Sequence, residues 1–199
     1  MSIKSALRKL SDKEATIEEI EEFQNQISHE TNDRGACILM ATNVEIALNR
    51  AIFRVLDWDE KTRGQLTSAE GPAGTFSQKI HLGRALRIYG EDTQHNLDYF
   101  RLIRNAFAHT HAPITFETRE VKDAVGLLKL VAAMPPVGVA AYVDSQTTEI
   151  TSRNAFKRAC EIAAHNLMVW SISGLHERHP NDTRKSDEHR EFMWRKPLP

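Results

Sequence analysis

The chain has 199 residues, with 26 lysines and arginines against 27 aspartates and glutamates, for a formal net charge of −1. That length suits one compact domain with a sizeable core. The balanced charge excludes the global basic field of a protein that coats nucleic acid, while leaving room for a local basic groove.

No apolar run approaches the roughly 20 residues needed to cross a bilayer. Residues 1–13 are basic but lack the apolar stretch of a secretory signal. Cys37 and Cys160 lie among apolar residues at helical spacing, as small buried thiols of a reducing compartment do. A cytoplasmic protein without a membrane anchor is expected.

Helical periodicity runs almost throughout. Thr16 before Ile-Glu-Glu reads as an N-cap with an acidic first turn, and Ile17, Ile20, Gln24 and Ile27 mark one face. A long helix follows over about 33–56, striped by Ile38, Ala41, Val44, Leu48, Ile52 and Val55. Residues 57–74 are polar and turn-rich, and Gly71-Pro72-Ala73-Gly74 breaks the pattern. Thr75 caps a helix running to about Tyr89, with Phe76, Ile80, Leu82 and Leu86 apolar and Gly90 placed to end it. Thr93 opens the next helix, which carries Arg104 to His109 and is stopped by Pro113.

Val121, Ala124, Val125, Leu128 and Val131 define a further amphipathic helix over 117–132, broken by Pro135-Pro136. Residues 137–151 alternate briefly at Val139, Ala141 and Val143, so either a short hairpin-like β excursion or an ordered loop is expected. Ser152 caps a last long helix with Phe156, Ala159, Cys160, Ala163, Leu167 and Trp170 on its stripe. From His176 the chain is charged and mixed in sign until Phe192 and Trp194, and reads as a flexible tail. The expected architecture is a single all-α helical bundle of about six helices over 1–175, followed by the tail over 176–199.

Two charges interrupt apolar stripes. On a wheel of about 100° per residue, Leu97, Phe100, Ile103 and Phe107 share a face, and Arg104 falls inside that arc. Glu45 likewise falls inside the arc of Ile38, Ala41, Val44, Leu48 and Ile52. Desolvating either charge alone costs several kcal/mol. Glu45 and Arg104 are therefore expected to meet between packed helices as a charge-assisted pair. The pair serves either architecture, by fixing helix register, or an anion site such as a phosphate cleft.

His109 lies about 140° around the helix from Arg104. The two converge only if the helix unwinds after Phe107 or if a second protomer supplies one of them. Otherwise His109 is a C-terminal histidine favoured by the helix dipole. Asn105 is placed to orient His109 and fix its tautomer.

The stretches Gly-Pro-Ala-Gly-Thr-Phe-Ser-Gln-Lys-Ile (71–80), Leu82, Leu86 and Phe-Arg-Leu-Ile-Arg-Asn-Ala-Phe-Ala-His (100–109) resemble the mannitol operon repressor family. So does the helix that begins Asp33-Arg34-Gly35-Ala36 and carries Glu45. The Arg-x4-His element is also similar to that of the HEPN superfamily of helical proteins, many of them metal-independent endoribonucleases acting as dimers. The resemblance spans about residues 30–111.

For a HEPN ribonuclease it implies that Arg104 holds the scissile phosphate and that His109 moves a proton at the attacking or leaving oxygen. The toxin subset carries a tyrosine two residues after the histidine, where this chain has His111, so regulation through that tyrosine is in doubt. For a mannitol-repressor relative the resemblance implies a regulator without an evident helix-turn-helix, acting through a protein partner.

Weaker patterns accompany these. His109, His111, His165, His176 and His179 lack the carboxylate or cysteine context of a zinc site, and neither a metal nor another cofactor is expected. Arg84, Arg87 and Arg101 either line a groove for RNA or form a solvated face of paired charges. The residues 71–74 lack the lysine and strand of a phosphate loop.

The preferred expectation is a mannitol-repressor-like regulatory or interaction protein, homodimeric through the motif-bearing face. Its partner is a protein or an RNA, and direct sequence-specific DNA binding is not expected. The alternative is a metal-independent endoribonuclease using Arg104 and His109. The candidate site is Arg104, His109, Asn105, Glu45, Arg101 and His111.

Overall fold

A computed structural model describes residues 15–56, 59–68, 70–129 and 151–172, together with Ile3 and Ala6. These residues form seven helices: α1 (Ile17–His29), α2 (Asp33–Val55), α3 (Glu60–Leu66), α4 (Phe76–Ala85), α5 (Glu91–His109), α6 (Arg119–Gly126) and α7 (Ser152–Ile172). Among the described residues there is no strand. The fold is an all-α bundle. The excursion expected over 137–151, except Thr151, and the tail over 176–199 lie outside the described residues.

Local chemistry sets the helix starts. Thr16 and Glu19 form a capping box at α1, the Glu19 N–H donating to Thr16 Oγ1 at 3.3 Å and the Thr16 N–H to Glu19 Oε2 at 2.9 Å. Thr75 and Gln78 repeat the device at α4. Asn32 accepts from the Arg34 and Gly35 N–H groups at the head of α2.

Several boundaries differ from those read in the sequence. The turn-rich stretch contains α3, capped by Asp59, which accepts from the Thr62 N–H at 2.9 Å. Helix α4 ends at Ala85 rather than near Tyr89, because the chain turns left-handed at Arg87, with φ of 56°. The Ile88 N–H closes that turn on the Gly83 carbonyl at 3.0 Å and the Arg87 N–H on Arg84 at 2.9 Å, a Schellman ending with arginine where glycine is usual. Gly90 is therefore the N-cap of α5, not the end of α4, and α5 opens at Glu91 rather than Thr93. Thr151, not Ser152, caps α7, accepting from the Asn154 N–H at 3.2 Å.

Helix α2 sits at the centre, packed most extensively against α7 and also against α5 and α4. Arg153, at the head of α7, donates to Asp33 Oδ1 and to the Thr31 carbonyl, both at 2.8 Å, and to the Glu30 carbonyl. The two helices therefore start together and run in the same direction. Alanines and cysteines line their seam: Ala36, Cys37, Ala155, Ala159, Cys160 and Ala163 are all buried. Small side chains let helix axes approach closely.

Arg34 donates to the carbonyls of Thr110 and Ala112 at 3.1 and 3.3 Å, which sets the end of α5 beside the start of α2. These two helices are antiparallel. A ladder of rings joins α5 to α7 through the turn after it: Phe107 to Phe116 at 5.0 Å, Phe116 to Phe156 at 5.4 Å and Phe156 to Phe100 at 5.7 Å. By length and hydropathy α2 alone among the described helices is apolar enough to span a bilayer. Nine of its residues, Ala36 to Ile52, are nevertheless buried in this core.

Candidate functional site

Arg104 and Glu45 meet where α2, α4 and α5 come together. Arg104 Nη2 donates to Glu45 Oε2 at 3.1 Å, and Lys79 Nζ, from α4, donates to Glu45 Oε1 at 2.8 Å. One carboxylate thus holds a cation from each neighbouring helix, one on each oxygen. The three side chains retain only 14 % (Lys79), 20 % (Glu45) and 28 % (Arg104) of their exposure. Charges this far from water need partners, and a carboxylate bridging two of them fixes α4 and α5 relative to α2.

Lys79 was assigned no role from the sequence. It borders the buried stripe of Phe76, Ile80 and Gly83 without interrupting it, so it lacks the signal that Arg104 gives in α5.

Asn105 belongs to this network and not to His109. Its Oδ1 accepts from Arg104 Nη1 at 3.1 Å, so the expectation that it orients His109 gives way to one in which it holds the guanidinium. Arg101, one turn earlier, lies 3.6 Å from Asp98. Among the described residues its buried Nε has no acceptor, and on α2 the buried Asn49 Oδ1 has no donor.

His109 is elsewhere. Helix α5 runs unbroken through it, and the Thr110 N–H still reaches back to the Ala106 carbonyl at 3.3 Å. The unwinding after Phe107 that would bring His109 to Arg104 does not occur. With about 140° between them on a continuous helix, Arg104 faces inward and His109 faces solvent. His111 is exposed in the turn that Arg34 clamps.

The basic-groove residues are tied locally: Arg84 donates to the Tyr89 carbonyl at 3.3 Å and lies 3.6 Å from Glu91. Among the described residues no three of His, Cys, Asp and Glu gather as a metal site requires.

Burial controls the nucleophiles. Cys37 and Cys160 are both free and buried. Desolvation pushes the Cys37 thiol up to about 12 despite the nearby Arg104 guanidinium, and raises Cys160 well above its ordinary value. Thiols so placed are poor nucleophiles. The Tyr89 hydroxyl donates to the Ile80 carbonyl at 2.6 Å, and desolvation raises its pKa far above the ordinary tyrosine range.

This is the site of a helical scaffold braced by an inward ion network, in which Arg104 and His109 point in different directions. No family model matches the chain. It is 25 % identical over 136 residues to the mannitol operon repressor of Escherichia coli K12, covering 64 % of this chain and 70 % of that protein. The same protein from the O6:H1 strain gives the same figures. Among solved structures, a chain of the Escherichia coli MtlR–HPr complex superposes with a TM-score of 0.58 at 15 % identity, covering 74 % of this chain and 97 % of that one. That likeness shows a shared fold.

Proposed function

We propose that the chain is a mannitol-repressor-like regulator that works in the cytoplasm through a protein partner and forms a homodimer. The observation that carries this reading is the sequence similarity to the Escherichia coli mannitol operon repressor. The structural neighbour was solved as a complex with HPr, which makes HPr the first partner to test. The inward bracing of Arg104 supports a role for the motif in building the scaffold that presents a docking surface.

The test is isothermal titration of the purified chain with HPr. Saturable binding of defined stoichiometry is expected. The absence of any binding heat would count against HPr-mediated regulation.

The endoribonuclease alternative needs Arg104 and His109 to act on one phosphate, and no feature of the site favours it. Incubation with mixed RNA in EDTA is expected to leave the RNA intact. Cleavage that disappears in both His109→Ala and Arg104→Ala would replace the regulatory reading.

A further inference from the structure

Two leucines stand open on one side of the bundle. Leu102 on α5 is 50 % exposed, and Leu127, directly after α6, is 54 % exposed. The half-buried rings of His95 and Tyr99, stacked at 4.7 Å, connect them. Tyr99 packs partly on the core, and His95 Nε2 lies 3.0 Å from the Leu127 carbonyl, which ties the end of α6 to α5. His95, Tyr99 and Leu102 follow at steps of four and three, so they share one face of α5 over about 10 Å.

This strip lies toward the end of the bundle where α7 stops. Helices α2 and α7 start together and run in the same direction, while α5 is antiparallel to α2. Ile172, closing α7, and His95, near the start of α5, are therefore at the same end. The chain continues from there as residues 173–199, and from His176 onward its first large apolar side chains are Phe192, Met193 and Trp194. In an extended segment Phe192 and Trp194 point to one side, about 7 Å apart, which suits the strip. Residues 173–191 can span up to about 65 Å, against roughly 28 Å for the whole of α5, so the aromatic pair reaches any point along it. Charge agrees with this placement. Arg195 and Lys196 follow Trp194, and Asp98 and Asp123 stand one turn before Leu102 and Leu127, held only by long pairs of 3.6 and 3.8 Å to arginines.

We propose that this strip is the docking site of the chain's own C-terminal segment, with Phe192 and Trp194 laid over the two leucines and Arg195 and Lys196 beside Asp98 and Asp123. The size of the patch favours a tethered occupant. Two leucines and two ring edges fall well below the roughly 1,200 Å² that a separate protein needs for a stable interface. A segment joined to the same fold by a flexible stretch meets the patch at an effective concentration of about millimolar, so a small contact suffices to close it. The closure is intramolecular and reversible, and it covers the apolar strip in the free chain. It does not depend on which partner the chain regulates.

Fluorescence of Trp194 in the full chain tests this. Its emission is the difference between each chain and its Trp194→Phe counterpart, so Trp58 and Trp170 cancel. A blue-shifted emission that is independent of protein concentration is expected. Combining Leu102→Asp with Leu127→Asp alters exposed side chains, so helicity by circular dichroism is expected to persist. In that variant the emission should move to the red and the acrylamide quenching constant rise at least about twofold as the ring enters water. Cys37 and Cys160 are buried, so a nitroxide reagent marks an introduced thiol alone. A nitroxide on Lys122→Cys, beside Leu127 and outside the proposed contact, is expected to quench Trp194. A solvent-like Trp194 in the unaltered chain overturns the inference, as does one unchanged by the two leucine substitutions or unquenched by the label. Protection that grows with protein concentration assigns the strip to the segment of a second copy and likewise overturns intramolecular closure.

Discussion

Arg104 and His109 share one unbroken helix and look in different directions. The first is bound to Glu45 at 3.1 Å between α2 and α5, and the second stands exposed at the last turn of α5. A single continuous helix cannot aim residues five apart at one point, because five steps of about 100° leave them about 140° apart. Their substitutions should therefore behave differently. His109→Ala is expected to change unfolding free energy by no more than about 0.5 kcal/mol, as exposed positions usually do. A larger loss in a urea titration would place the imidazole in a contact within the fold.

Alkaline pH should weaken the fold through its buried thiols. The ordinary thiol value is 9.0, and burial pushes Cys37 up to about 12 and Cys160 well above that ordinary value. Between about 9 and 12 the unfolded chain releases protons that the folded chain keeps, so stability falls as pH rises through that window. Tyr89, also raised by burial, adds to the decline above its ordinary value of 10.0. Urea titrations across this range are expected to show the loss, and a flat profile would contradict it. At neutral pH a disulfide reagent should label neither cysteine until denaturant is added.

Arg87 occupies the left-handed position that ends α4. A side chain there costs about 1 kcal/mol relative to glycine, partly offset by the greater freedom of glycine in the unfolded chain. Arg87→Gly is expected to stabilise by about 0.5 kcal/mol, read as a higher urea midpoint with unchanged slope. A lower midpoint would mean that the contacts of the arginine side chain outweigh the backbone strain.

Gly83 is fixed by Tyr89. A Cβ at this buried position would stand 2.7 Å from the Tyr89 hydroxyl, which is itself anchored on the Ile80 carbonyl. Gly83→Ala is expected to cost about 1–3 kcal/mol by overpacking. Tyr89→Phe is expected to cost about 0.5–1.5 kcal/mol for the lost hydrogen bond to the Ile80 carbonyl. Adding Tyr89→Phe to Gly83→Ala should recover part of the loss, and strict additivity would show that the two do not meet.

The parts of the fold legible in the sequence were those set by strong local chemistry. Thr16 with Glu19, and Thr75 with Gln78, announce helix starts because a hydroxyl three residues before a carboxylate or amide satisfies two free N–H groups. The stripes of α2, α5 and α7 were legible because each helix is long enough for its period to emerge. Helix α3 was hidden because its seven residues, EKTRGQL, carry one apolar side chain and no period. The end of α4 was misplaced because the left-handed turn falls on an arginine, which advertises no turn, while the nearby Gly90 does.

At the site, Glu45 and Arg104 were visible as charges inside apolar arcs. Lys79 was not, because it sits at the edge of its stripe and is recruited only by three-helix packing. Asn105 was read by its nearness to His109 in sequence, whereas its amide oxygen turns to the stronger donor, the Arg104 guanidinium.

The measurement that bears most directly on the inward, architectural role of Arg104 is a double-mutant cycle on Glu45→Gln and Arg104→Gln, with unfolding free energy and HPr binding both recorded. Glu45→Gln leaves Arg104 and Lys79 without their carboxylate, Arg104→Gln leaves Glu45 with Lys79 alone, and each single variant is expected to lose about 1–3 kcal/mol. The double variant should lose less than their sum, giving a coupling of about 1–2 kcal/mol, while the folded double variant still binds HPr. Zero coupling, with HPr binding or RNA cleavage abolished in stably folded Arg104→Gln, would show instead that Arg104 is held for a ligand and not for the fold.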